Sequence, residues 1–125
     1  MTLPELQLLC REWQERLGLQ DWRIHIEILR ERYFSKSNRG AEINIVLSNK
    51  SANIHMLDPV DHIDCWFEQD QEKDLVHELG HIIFDPFYQT EDGLVKTFQE
   101  QAIDTFAKAL VNLKREGARE ILKES

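Results

Sequence analysis

The spacing of the hydrophobic residues changes twice along this chain, from a helical period to an alternating one and back again. At the N-terminus, Thr2 and Glu5 form a helix-start pattern and Gly18 a helix stop. The predicted elements, in order, are a helix at 3–17, strands within 21–29, 42–47 and 52–57, and helices at about 70–84 and 94–116. This order predicts an α+β fold in which one helix and a small three-stranded, mostly antiparallel meander precede two helices.

The two C-terminal helices have predicted ends and a predicted buried face. The first stops before Asp85-Pro86, because the residue before proline disfavours helical backbone. The second is expected to end at Gly117, followed by a tail that is a short helix or frayed. Its predicted buried stripe consists of Val95, Phe98, Ala102, Phe106, Ala109 and Leu113. Ahead of both helices, Trp66 and Phe67 are expected to anchor a connection in the core.

Length and charge limit the partners of the protein. At 125 residues the chain can bury one core, so residues 1–125 are predicted to form a single domain. The net charge of -8 lacks the positive field that nucleic acid or an anionic membrane surface requires, so neither is an expected partner. The absence of a bilayer-spanning apolar run and of a signal-peptide pattern predicts a cytoplasmic location. Cys10 and Cys65 are expected to be reduced structural thiols.

The segment DLVHELGHIIFDPF contains two histidines four residues apart within a predicted helix. Residues at i and i+4 point the same way, so His77 and His81 can converge on one ion, while Glu78 lies about 100° further round. A hydrolytic zinc site uses three protein ligands and keeps one position open. Glu78 is therefore predicted to move a proton as a general base and acid. The alternative is an amphipathic helix with two histidines at its core boundary and no metal.

A third ligand is expected from another element, and the last helix offers Glu100 and Asp104. These carboxylates are again four residues apart, and they lie at the edge of the predicted buried stripe. A metal ion would compensate a partly buried carboxylate at such a boundary. The alternative for this pair is a solvated helix edge.

HELGH at residues 77–81, followed by EQAID at residues 100–104, resembles the gluzincin clan of zinc metallopeptidases. The resemblance implies a zincin-like fold, Zn²⁺ as cofactor, His77, His81 and Glu100 as ligands, and Glu78 as the general base. It also implies that Asp104 orients a ligand histidine. The run EQAIDTFA is similar to the ImmA/IrrE group, which is often encoded by phages and mobile elements and usually has asparagine at the position of Asp104.

Several other residues near the motif have predicted roles. Gly80 in mid-helix indicates close approach of a second helix to the metal-site helix. Asp74 is interpreted as a surface charge in the first turn, matched to the helix dipole. His62 and Tyr88 are candidate donors to the oxyanion of a tetrahedral intermediate. The strand ANIHML at 52–57 is the candidate edge strand for pairing with an extended substrate, with a purely structural edge strand as the alternative.

Three hypotheses about function follow from the sequence. The first is a zinc-dependent peptidase of narrow or regulatory specificity, which hydrolyses peptide bonds of a protein or peptide substrate with a metal-activated water. The second is a catalytically weak or inactive zincin that binds metal and acts as a binding or regulatory module. The third is a protein without a metal site.

Overall fold

The computed structural model describes residues 1–64, 69–87 and 89–124. Its helices and strands are α1 (Leu3–Leu17), β1 (Arg23–Leu29), β2 (Ala41–Val46), β3 (Ser51–Leu57), α2 (Gln71–Phe84) and α3 (Gly93–Glu124). The predicted α+β class and the order of its elements are confirmed. No helix within the described ranges is long and apolar enough to cross a membrane. The predictions for Cys65, Trp66, Phe67 and Tyr88 fall outside these residues.

Helix α1 has the ends that its sequence predicts. The backbone N–H of Glu5 donates to the Thr2 hydroxyl at 3.3 Å, and the Glu5 carboxylate accepts from the Thr2 backbone N–H at 3.3 Å. Gly18 ends the helix with a φ of 73°, a left-handed conformation in which glycine has no steric penalty. Cys10 is buried within this helix as a free thiol, as predicted.

The three strands form a mixed sheet, so the predicted meander is wrong. The strand order is β1-β3-β2, in which β3 pairs parallel with β1 and antiparallel with β2. A meander needs a tight turn after β1, but residues 30–40 instead form a long connection in which the Arg30 guanidinium donates to Asp61 at 2.8 and 2.9 Å. This connection carries the chain to the far side of β3. The sequence did not predict this strand order, because alternation of hydrophobic residues identifies a strand but not its partner.

The position of β3 corrects the prediction for the substrate strand. Residues 52–57 belong to the central strand, whose backbone groups are already paired with a neighbour on each side. They cannot pair with a substrate. The edge strand next to α2 is β2, which packs against this helix.

The core lies between one face of the sheet and the three helices. Its fully buried side chains come from every helix and from the central strand, and the largest of them are Trp13, Leu6, Ile54, Met56, Leu57, Leu75, Leu79 and Ile103. This shared core fixes α2, which bears the histidine pair, between the sheet and α3.

Helix α3 buries a different face from the predicted one. Ile103, Ala107 and Val111 are buried, whereas Phe98 and Leu113 are 58% and 63% exposed. The helix also continues through Gly117 to Glu124. Both faces are rich in apolar residues, so the choice between them depends on partners elsewhere in the fold. Those partners are Asp70 and Glu72, at the start of α2.

The predicted close approach at Gly80 is confirmed. A Cβ at this position would lie 2.9 Å from Cγ2 of Ile103, which is itself buried in α3. The absence of a side chain at Gly80 therefore allows α3 to pack directly against the middle of α2.

We expect Gly80→Ala to lower the free energy of unfolding by about 1–3 kcal/mol, because the added methyl group forces the two packed helices apart. Gly117→Ala is the matched control. A Cβ at Gly117 meets no atom within 4 Å, so this change is expected to stabilise the protein by up to about 1 kcal/mol. Urea denaturation of both variants measures the difference. Equal stabilisation by the two substitutions would contradict the close approach.

Candidate metal centre

The histidine pair lies in the middle of α2, on a regular part of the helix. The carboxylate of Asp70 caps the start of this helix by accepting from the backbone N–H of Lys73 at 3.1 Å. Helical geometry then places His77 and His81 on one side, with ring centroids 5.2 Å apart. Their side chains are 15% and 13% exposed, so both rings sit in a sheltered position.

Glu100 of α3 reaches both rings. Its two carboxylate oxygens lie 2.9 Å from Nε2 of His77 and 2.9 Å from Nε2 of His81. The three residues offer ligand atoms that all lie within 4.8 Å of one another. Among the described residues, no other group of three histidine, cysteine or acidic side chains meets that condition. The Glu100 side chain is 54% exposed, which leaves this cluster open to solvent on one side.

A set of ion pairs at the start of α2 positions α3. Arg115 donates to both oxygens of Asp70 at 2.8 and 2.9 Å, and Lys114 donates to Glu72. Glu72 is buried and also accepts from the indole N–H of Trp13 at 2.8 Å. These contacts join all three helices and set the rotation of α3 about its own axis. In this orientation, Glu100 faces the two histidines.

The second ring nitrogen of each histidine faces a carboxylate. Nδ1 of His77 lies 3.5 Å from Asp104, which also contacts Lys73 at 3.5 Å and Lys108 at 2.9 Å. Nδ1 of His81 lies 2.9 Å from Asp85. Such contacts fix which nitrogen of an imidazole faces a metal.

Asp85 lies beside this cluster, although its sequence context predicted only the end of α2. One of its oxygens lies 2.9 Å from Nδ1 of His81 and accepts from the Gln99 side chain at 2.8 Å. Gln99 directly precedes Glu100, so one carboxylate oxygen links α2 to the part of α3 that carries Glu100. The signal in the sequence is the spacing of four residues between His81 and Asp85, which places both on one helix face.

Hydrogen bonding and burial shift the charges of the cluster. Burial opposes a charge on His81, but its contacts with Glu100 and Asp85 raise its pKa to about 9. The contacts with His77 and His81 hold the pKa of Glu100 far below its usual range. Burial raises the pKa of Glu78 to about 7, which suits a group that accepts and returns a proton near neutral pH.

If zinc binds this cluster, its affinity is expected to rise by roughly tenfold per pH unit between about pH 7 and about pH 9. The pKa of His81 is raised from 6.5 to about 9, so this histidine is protonated at neutral pH, and zinc must displace that proton. Competition with a chelator at about pH 7 and about pH 8, corrected for protonation of the chelator, measures the change. The same corrected affinity at both values would mean that no histidine proton is displaced.

A groove runs beside the cluster, between α2, the N-terminal half of α3 and the edge strand β2. His77, Glu78, His81 and Glu100 line it, opposite the apolar side chains of β2. Glu78 thus lies in the same groove as the three potential ligands, as its predicted role requires. His62 lies in the turn Pro59–Asp64, outside the described lining of this groove.

The prediction that Asp74 is a surface charge is wrong. Asp74 lines the groove one turn before Glu78, and one of its oxygens is buried with no hydrogen-bond partner among the described residues. Burial raises the pKa of Asp74 to about 6. Its environment therefore marks it as part of the groove rather than as a helix-dipole charge.

Comparison of the chain with protein-family models, curated proteins and solved structures found no match. A functional conclusion therefore depends on the geometry of the site and on the motif itself. The geometry brings together His77, His81, Glu100 and Glu78, together with Asp104 and Asp85.

Proposed function

We propose that the protein is a zinc-dependent peptidase with a zincin-like site. His77, His81 and Glu100 bind the metal, and Glu78 is the general base. The observation that carries this proposal is the convergence of two imidazole Nε2 atoms and one carboxylate from a second helix, beside a buried glutamate in an open groove.

The donor set fits zinc. Two imidazole nitrogens and one carboxylate are ligands that Zn²⁺ takes in hydrolytic sites, with a fourth position left for water or substrate. The hydrogen-bonded contacts between Glu100 and the two histidines bring these donors within reach of one another. A divalent cation between these three donors would replace the histidine protons as the positive charge that holds the Glu100 carboxylate.

In the proposed hydrolysis, Glu78 carries the proton in both transfer steps. When bound, zinc supplies a Lewis acid that makes water more acidic and polarises the substrate carbonyl. Glu78 takes one proton from the water while the water oxygen bonds to the carbonyl carbon of the substrate. It then passes that proton to the amine nitrogen as the C–N bond breaks. The products are a carboxylic acid, which ionises, and a free amine. A pKa of about 7 allows Glu78 to act in both directions.

The edge strand β2 is the proposed partner for the substrate backbone. It lines the groove through Ala41, Ile43 and Ile45, and among the described residues no strand pairs with its far edge. An extended peptide can add to such an edge through main-chain hydrogen bonds. This role replaces the one predicted for residues 52–57.

We expect Asp85→Asn to weaken zinc binding by roughly 10- to 100-fold, because the asparagine amide lacks the negative charge that orients the His81 ring and raises its basicity. Asp104→Asn is expected to have a smaller effect, since Asp104 is 3.5 Å from His77 and shares its charge with two lysines. Chelator competition on the two variants measures both affinities. A larger loss in Asp104→Asn would reverse the assigned order of these carboxylates.

Incubation of the zinc-loaded protein with a mixed peptide library tests the proposed activity, with new ends identified by mass spectrometry. Cleavage that stops on chelation and returns with zinc is the expected result. Stoichiometric zinc without cleavage of any peptide would contradict the peptidase proposal and favour a metal-binding module.

A further inference from the structure

Most of the stripe that the spacing in α3 predicts to be buried lies exposed on the outside of the fold. It faces solvent about 150° round the helix from the buried residues Ile103, Ala107 and Val111. We call this side the outer face of α3; its members are Val95, Phe98, Ala102, Thr105, Ala109 and Leu113. All six are exposed, so the apolar spacing of this helix has one set of partners inside the chain and a second set still to be found.

The outer face is free of charge over residues 94–113, a span of about 30 Å that the structure describes completely. The charged residues in this span are Lys96, Glu100, Asp104 and Lys108. They recur at intervals of four and lie at least about 100° from the centre of the outer face. Since 30% of the whole chain is charged, a solvent-facing side without charge is unusual. Exposed apolar strips of this kind are typical of protein–protein contacts.

The spacing on the outer face is that of a helix pair. Alternating steps of three and four residues separate Val95, Phe98, Ala102, Thr105 and Ala109. Two helices that pack along a coiled-coil seam use this spacing. Within the chain, α3 packs against α2 through its opposite side, where Ile103 meets Gly80. The seam is therefore available to a helix of another molecule.

The order of large and small side chains on this side of α3 is complementary to its own reverse. Two copies of the helix can lie antiparallel about a centre between residues 103 and 104. The facing pairs are then Leu94 with Leu113, Phe98 with Ala109, and Ala102 with Thr105. The largest side chain, Phe98, meets one of the smallest, and two leucines close each end. This alternation lets the two surfaces interdigitate without voids.

We propose that the protein forms a two-fold symmetric dimer in which the outer faces of two α3 helices pack antiparallel. A two-fold axis requires a surface that is complementary to itself, as this one is. Two molecules that each carry a net charge of -8 repel one another, so an uncharged surface is where they meet at the lowest cost. A strongly basic or acidic partner would find no opposite charge on this face.

The contact area favours a reversible dimer. A strip about 30 Å long and about 10 Å wide on each copy corresponds to roughly 1,000 Å² of accessible surface buried in the pair, once the relief of the side chains is included. This value is the lower limit for a specific interface, so we expect a dissociation constant in the micromolar range. Glu100 lies about 170° from the centre of the outer face, so dimerisation leaves the metal cluster open. The inference goes beyond the proposed peptidase function and depends on neither zinc nor hydrolysis.

Sedimentation of the full chain, from about 1 μM to about 1 mM, measures the association. The wild type is expected to pass from monomer to dimer over this range. Phe98→Glu is expected to weaken the dimer by roughly a hundredfold, because it places a charge against the apolar surface of the second copy. Leu8→Glu is the matched control, since Leu8 is 62% exposed but lies on α1. A wild type that stays monomeric throughout, or equal weakening by the two substitutions, would overturn the inference.

Introduced cysteines test the antiparallel arrangement. Leu94→Cys and Leu113→Cys proteins, one of them with a size tag, are mixed and oxidised. Antiparallel packing brings the two new thiols opposite each other, whereas two Leu94→Cys chains hold theirs about 30 Å apart, far beyond the reach of a disulfide. We expect the linked product in the mixture and not in either variant alone, with the wild type reporting the background from Cys10 and Cys65. A product formed equally by Leu94→Cys alone, or none in the mixture, would contradict the proposed contact.

Discussion

Glu78→Gln is expected to lower peptide hydrolysis by roughly a thousandfold, with one zinc ion still bound per chain. A general base contributes about 10²- to 10⁴-fold to such reactions, and an amide of the same shape cannot accept the proton of the water. Because Glu78 is buried and is not one of the three clustered ligands, its replacement leaves the donor set unchanged. Single-turnover rates and metal content, measured on the same preparation, give both quantities.

Glu72→Gln is the matched control for this substitution. Glu72 is the other buried glutamate of α2, but it contacts Trp13 and Lys114 instead of lining the groove. Its replacement is expected to lower stability, with little effect on hydrolysis by the folded protein. If Glu78→Gln lost zinc together with activity, Glu78 would be a metal ligand and the assigned role would be wrong.

His81→Ala is expected to weaken zinc binding by roughly a thousandfold, because it removes one of three protein ligands from a site whose binding free energy they share. The substitution also leaves Glu100 and Asp85 without the imidazole that each contacts at 2.9 Å. Chelator competition measures the affinity, and circular dichroism verifies that the variant is folded.

His25→Ala controls for the loss of a histidine as such. His25 is exposed and paired with Glu27 on the sheet, away from the groove. This variant is expected to bind zinc as the wild type does. Equal affinities for His81→Ala and wild type would mean that His81 is not a ligand.

Local sequence signals predicted the parts of the fold that depend on neighbouring residues. The capping pair at Thr2 and the left-handed Gly18 define α1 without help from the rest of the chain. The spacing of His77 and His81 places both on one face of any helix that contains them. The close approach at Gly80 could be predicted because glycine destabilises the middle of a helix, and close packing of a second helix explains its presence there.

The strand order and the buried face of α3 depend on distant partners. Alternation in residues 52–57 identifies a strand equally well at the centre or the edge of a sheet. Helix α3 has two apolar faces, and ion pairs of Lys114 and Arg115 with the start of α2 select the one that is buried. Glu100 and Asp104 were predicted at the boundary of a stripe that is mostly exposed, apart from Phe106, which packs against Phe84 of α2, yet both carboxylates still face α2.

Asp85 and Asp74 show why single residues around a site are harder to predict than its ligands. The role of Asp85 depends on Gln99, which comes from the next helix and shares the same oxygen. The burial of Asp74 depends on Gly40, which arrives from the loop before β2. Neither contact leaves a periodic signal, since each joins residues that are far apart along the chain.

X-ray absorption at the zinc edge, on protein loaded with one equivalent of zinc, tests the central claim most directly. The account predicts one zinc ion bound by two imidazole nitrogens and one carboxylate, with a single histidine signal remaining in His81→Ala and an altered oxygen shell in Glu100→Gln. No tightly bound zinc, or a first shell that is unchanged in both variants, would contradict it.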